Sequence, residues 1–267
     1  MRVRIIFQVL NGGGLLPFHQ QVLLSNFVND FIPDEYAGTF DWNFSGIKGQ
    51  TSVTSKGLFY NSQRVTLVFS SRNSDLVASF VSGIFSCDTI GLAGLDIRPL
   101  EVLEEVSEIQ ESELKYVCIS PIVLVADGMP EEELRQFIPP TSPIFADLLY
   151  ESTMRRMVNL GINVDFFSAR ENFSFRPDLE YLRKSKDNDR KFSRVYTFDD
   201  RANVLDLRGY TFPFYLKADS EVHEFLFNSG FGEATENGFG MVDFADRKNR
   251  TQLLEFRQIP GNIQEGA

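Results

Sequence analysis

Cysteine and histidine are scarce, two of each in 267 residues. Cys87 and Cys118 have no C-x-x-C spacing and sit in apolar stretches, which excludes a disulfide framework and reads as buried thiols in a reducing cytoplasm. His19 and His223 lie at opposite ends of the chain, so no sequence-local metal site is indicated, and neither metal nor cofactor is expected. No apolar run reaches the length of a membrane span, and Met1 to Leu10 has neither an apolar h-region nor a cleavage site. A cytoplasmic protein without a membrane partner is expected.

Basic residues are nearly absent between 101 and 133, where Lys115 stands against ten acids and the segment holds −9 of the net −11. Such a balance ordinarily argues against nucleic acid. The rest of the chain is close to neutral, however, and residues 181 to 194, "YLRKSKDNDRKFSR", carry six bases against two acids. That stretch is either a solvated loop or a phosphate-binding stripe. A docking surface for a basic partner is one reading of the acidic segment.

Glycine is concentrated instead in "SGFGEATENGFGMVDF", residues 229 to 244. A Walker loop is excluded, because five residues separate Gly232 from Gly238 and Phe239 follows. A dinucleotide fingerprint fails too, since Thr235 stands three after Gly232. Glycine here serves a turn that either exposes bare N–H groups or lets another chain approach.

The rest is ordinary globular patterning. "RVRIIFQVL" alternates as a half-buried strand, Gln20 to Ile32 has helical spacing ended by Pro33, and "TSVTSKGLFY" and "RVTLVFSS" have hairpin-like spacing. A second helix runs through Leu76, Val77, Phe80, Val81, Ile84 and Phe85 with Asn73 or Ser74 as N-cap, and "LDIRPLEVL" is a strand. The order returns after the acidic segment: "KYVCISPIVLV" as strand, Ile144 to Leu160 as helix, "KFSRVYTF" and "VLDLRGYTFPFYLK" as paired strands, Ser220 to Asn228 as helix, "GFGMVDF" as strand. The expected class is α+β, with two tandem ferredoxin-like (RRM-like, βαββαβ) domains. They divide into 1–108, an acidic linker at 109–113, a second domain at 114–250 with the glycine-rich loop, and a C-terminal tail at 251–267.

"LLPFHQQVLLSNFVNDFI", "FDWNFSGI", "VTLVFSSRNSDLVASFVSGIF", "CISPIVL" and "GFGEATENGFGMV", in this order, resemble the RAMP proteins of CRISPR systems, and more closely the Cas-six family of repeat-processing endoribonucleases. The resemblance implies binding of the repeat portion of precursor CRISPR RNA and its cleavage without metal, by attack of a ribose 2′-hydroxyl on the adjacent phosphate. Other subunits of a CRISPR effector are further implied partners, and DNA is not expected. The family commonly places a catalytic histidine between the first helix and the Phe-x-x-Ser strand, but "PDEYAGTFDWN" at 33 to 43 has none. The candidates for acid, base and charge stabilisation are therefore His19, Tyr36 and Lys48. Arg155, Arg156, Arg183, Lys184, Lys186, Arg190, Lys191 and Arg194 are candidate RNA contacts, with Gly230, Gly232, Gly238 and Gly240. Two other readings stay open: a non-cleaving RNA-binding or scaffold subunit, and a small-molecule-binding ferredoxin-like protein.

Overall fold

The structure, a computed structural model, describes residues 1–39, 41–107, 109, 111–126, 128–165, 170–199, 204–245 and 251–257. Strand β1 (Arg2–Val9) buries Val3, Ile5, Phe7 and Val9 on one face, as its alternation requires, and turns Arg2 and Arg4 to the other. After β2 (Gly14–Leu16) comes helix α1 (Gln21–Asn29), then β3 (Trp42–Phe44), β4 (Thr51–Val53), β5 (Leu58–Tyr60) and β6 (Arg64–Ser71). Helix α2 (Ser74–Phe85) follows, capped by Asn73, whose Oδ1 accepts from the backbone N–H groups of Asp75 at 2.9 Å and Leu76 at 3.2 Å. Such a cap stabilises a helix by about 1 kcal/mol. β7 (Ile90–Leu92) and β8 (Leu95–Val106) complete the unit.

The sheet order β8-β1-β6-β3, fully antiparallel, with α1 and α2 in the connections, is the ferredoxin-like arrangement. One pairing differs from the sequence reading. "TSVTSKGLFY" does not pair with "RVTLVFSS"; it folds on itself as the β4-β5 hairpin, which joins β2 in a separate three-stranded sheet. The strand beside β6 is β3, in register Trp42 to Ser71.

The second unit begins with β9 (Glu113–Cys118) and β10 (Ile122–Val123), then α3 (Pro143–Asn159), β11 (Ser174–Pro177), α4 (Leu179–Asp187), β12 (Ser193–Asp199), β13 (Val204–Tyr210), β14 (Phe214–Lys217), α5 (Ser220–Ser229) and β15 (Val242–Phe244). Its core sheet, β11-β14-β9-β15, repeats the ferredoxin-like order with α3 and α5 as helices. The strands expected to pair within this core are elsewhere: β12 and β13 pair with each other but form their own sheet with β10. "VLDLRGYTFPFYLK" breaks before Pro213, so β13 and β14 serve different sheets. Helix α4 and the β12-β13 hairpin are thus an insertion between core strands β11 and β14.

The last described strand, β16 (Gln252–Glu255), lies in the segment expected to be a C-terminal tail. It pairs antiparallel with β8 instead, and Phe256 enters the first core. Among the described residues no helix is long and apolar enough to cross a membrane.

The outer face of the first sheet receives α5. Arg2 lies buried there, its Nε donating to Glu105 Oε2 at 2.6 Å and its Nη1 to the carbonyl of Val242 at 2.8 Å, with the guanidinium 4.3 Å from the Phe227 ring centroid. Ser70 Oγ donates to the Asn228 carbonyl at 2.6 Å. Glu105 also takes Arg4 at 2.7 Å, so one acid of the 101–133 segment is bound internally. These contacts are directional, and they fix how the two units meet.

Candidate nucleic-acid interface

Gly230, Gly232, Gly238 and Gly240 all carry positive φ and are all buried. Two of them show what the missing side chains are for. A Cβ on Gly230 would stand 1.9 Å from Asn43 Nδ2, and one on Gly238 would stand 2.3 Å from the Phe44 ring. Asn43 and Phe44 belong to β3 of the first unit, so the loop is bare to admit a neighbouring domain. Phe231 and Phe239 are fully buried beneath it. Ser25 Oγ of α1 donates to Asn237 Oδ1 at 2.9 Å, closing the same joint.

Arg156 holds this loop from below. Its Nη1 donates to the carbonyls of Gly230 at 2.7 Å and Gly232 at 2.9 Å, and its Nη2 to the Ser229 carbonyl and to Thr235 Oγ1 at 3.2 Å. Arg155 is ion-paired with Glu233. Both arginines and all four glycines were expected to meet RNA; in the structure Arg156 is bound to four acceptors of the loop, Arg155 is paired with Glu233, and the glycines are buried.

The other cations are placed differently. Arg183, Lys184, Lys186, Arg190, Lys191 and Arg194 are all exposed, on α4, the turn after it and β12. The helix starts at Asp178, which accepts from the Tyr181 N–H at 3.0 Å and is salt-bridged to Lys115 at 2.8 Å. That pairing lowers the Asp178 carboxyl pKa. Only Ser185 of α4 is buried, with Leu182 packed at the second core, so the rest of the helix faces outward. Lys184 is engaged with Glu180 at 2.6 Å, an i,i+4 pair. Asp189, in the left-handed region at φ 51, turns the chain, and the Arg190 N–H donates to the Ser185 carbonyl at 2.8 Å. The helix carries the row of charge into β12.

On β12, Arg194 and Tyr196 share a face by strand periodicity. The Tyr196 ring meets His19 of the first unit edge-on, centroids 5.5 Å apart at 82°, and meets Phe239 at 5.4 Å. His19 is exposed, immediately before α1. In the same unit the Tyr60 hydroxyl donates to the Ile47 carbonyl at 2.9 Å. The adjoining Lys48 reaches across the joint, its Nζ donating to the Ile119 carbonyl at 2.9 Å. Desolvation of that Nζ lowers its pKa. His19 and Lys48 therefore flank one joint.

Tyr36 does not join them. It sits in the turn Asp34–Tyr36 beyond the far end of α1, a nine-residue helix that spans about 13 Å. Desolvation, then Glu35, raises its hydroxyl pKa. The other histidine is no candidate either: His223 is buried, with Nδ1 2.9 Å from the Tyr116 hydroxyl and Nε2 3.0 Å from the Ser112 carbonyl, and burial lowers its pKa. Among the described residues, no group of three or more His, Cys, Asp or Glu stands together as metal ligands would.

Two ferredoxin-like units in tandem, closed by a glycine-rich loop, define the architectural class. Within it, residues 103–244 match the family model described as CRISPR associated protein Cas6, C-terminal, and the chain belongs to the Cas6 family. A CRISPR-associated endoribonuclease-like protein Cas6 of Pyrococcus furiosus is 25% identical over 215 residues, covering 78% of this chain and 80% of that protein. The solved structure of a Cas6-related gene product from the same organism superposes with a TM-score of 0.76 at 20% identity, over 92% of this chain and 99% of that one. An RAMP protein described as binding different RNA substrates superposes at 0.72 with 20% identity, over 92% and 100%. These likenesses to solved structures show the fold.

Proposed function

We propose that this protein binds the repeat portion of precursor CRISPR RNA and cuts it at one site without metal. The reading is supported by family membership, by the endoribonuclease-like relative and by the RNA binding described for one structural neighbour. The observation that carries it is the exposed row from Arg183 to Arg194, leading along β12 to Tyr196 and His19, the exposed one of two imidazoles. The cations would track the phosphates while exposed rings such as Tyr181 stack on unpaired bases.

In the reaction a ribose 2′-oxygen bonds to the adjacent phosphorus and the 5′-oxygen leaves, giving a 2′,3′-cyclic phosphate and a 5′-hydroxyl end. His19 is assigned removal of the 2′-hydroxyl proton, solvent supplies the proton taken up by the leaving 5′-oxygen, and Lys48, which keeps two N–H donors beyond the Ile119 carbonyl, is assigned the charge of the phosphorane. General acid–base help of this kind is worth about 10²–10⁴-fold. Single-turnover cleavage of the repeat RNA in excess chelator is expected to proceed, to stop with a 2′-deoxy ribose at the cut site, and to slow by about 100-fold or more in His19→Ala.

A second reading, a repeat-binding subunit that does not cut and serves other subunits of an effector, is favoured by one observation. Tyr36 stands apart and Lys48 already serves a carbonyl, so the three candidate groups do not converge. Tight binding with no cleavage of the unmodified RNA would establish it.

A further inference from the structure

Tyr196 belongs to the inserted hairpin of the second unit, yet its ring lies against the one exposed imidazole of the first. Its own position is tightly set. Gly209, paired with Arg194 on the neighbouring strand, lies beneath it: a Cβ there would be 2.8 Å from the Tyr196 ring and 2.8 Å from Pro121. Phe239, anchored in the buried cluster with Val123 and Leu207, touches the same ring at 5.4 Å. A ring fixed from two sides and offered edge-on to an imidazole restricts how that imidazole can turn. Helix α1, which follows His19, contacts β12 directly.

We propose that Tyr196 is a positioning residue: its ring sets the orientation of the His19 imidazole, so that the reactive group is ordered only where the inserted hairpin docks on the first unit. The inference rests on the assignment of proton transfer to His19. The same strand then does two jobs, because Arg194 grips phosphate on the face from which Tyr196 orders the group that acts on it. Ring shape matters for the contact and the hydroxyl does not, so the conservative substitution separates this role from a hydrogen-bonding one. A small displacement of a catalytic group can cost about 100-fold in rate without changing how tightly substrate binds.

The test uses the full chain with Tyr196→Phe and Tyr196→Leu, compared by His19 ring-proton NMR shifts, single-turnover cleavage rate and RNA affinity, with melting temperatures recorded to confirm folding. Tyr196→Phe is expected to keep the shifts and the rate. Tyr196→Leu is expected to move the shifts as the ring current is lost and to slow cleavage by about 10–100-fold with affinity unchanged. Unmoved His19 resonances in folded Tyr196→Leu, or an unchanged rate in that variant while His19→Ala is inactive, would overturn the positioning role alone. Full activity of His19→Ala would overturn the catalytic assignment and this role with it.

Discussion

Replacing Arg156 by alanine is expected to lower stability by about 3 kcal/mol, because partly buried carbonyls are left without their charged donor. The carbonyls are those of Ser229, Gly230 and Gly232, where the chain leaves α5 and turns into the loop that seats β3 of the first unit. No other single side chain described here serves so many backbone acceptors of that loop. Lysine should recover little, since a single ammonium cannot reproduce the fork of a guanidinium. The measurement is the denaturant midpoint, expected to fall with the slope unchanged. RNA affinity of the folded variant should be preserved; an unchanged midpoint with weakened RNA binding would return Arg156 to the RNA face.

Neutralising Lys186, Arg190 and Arg194 together with glutamine is expected to act in the opposite way. All three are exposed, and among the described hydrogen bonds none of their side chains takes part, so the melting temperature should hold. Repeat-RNA affinity should weaken by about two orders of magnitude, on the order of 1 kcal/mol for each of the three lost charges. The plot of log affinity against log salt should flatten by about 2, because each phosphate contact on a single strand contributes about 0.7 to the slope. Affinity and salt slope that match the unaltered protein would remove this face from the account. Lys184 is left in place in this design because it already serves Glu180.

The first unit was legible where a single element carried its own pattern. The alternation of β1 and the helical spacing and cap of α2 each state their partner face locally. Pairings were harder, because "TSVTSKGLFY" is as strand-like as a core strand and nothing within it says that it closes on β2. In the second unit the sequence signal is misleading for a physical reason. Core strand β11 is only four residues, Ser174–Pro177, with Phe175 its main apolar side chain, whereas the inserted β12 and β13 are seven each and rich in β-formers. Helix α4 shows no apolar stripe beyond Leu179 and Leu182, since only a narrow side of it touches the core, and so its sequence reads as a solvated loop or a charged stripe.

The candidate site divides the same way. Exposure of the cationic stretch follows from its composition, and the structure places it as expected on the surface. The roles of Arg156 and the four glycines depend on partners such as Asn43 and Phe44, far away in the chain, and no local pattern could show them. The joint of His19 with Tyr196 is equally non-local, so the sequence offered His19 for its chemistry and only the fold gave it a neighbour.

The most direct test of where RNA lies is photo-crosslinking of the protein to repeat RNA carrying 4-thiouridine, with the modified peptides identified by mass spectrometry. Crosslinks are predicted within residues 181–196, on α4 and β12, and at His19, with none in the buried loop at 229–244. Crosslinks confined to the glycine-rich loop, with residues 181–196 unmodified, would contradict the account.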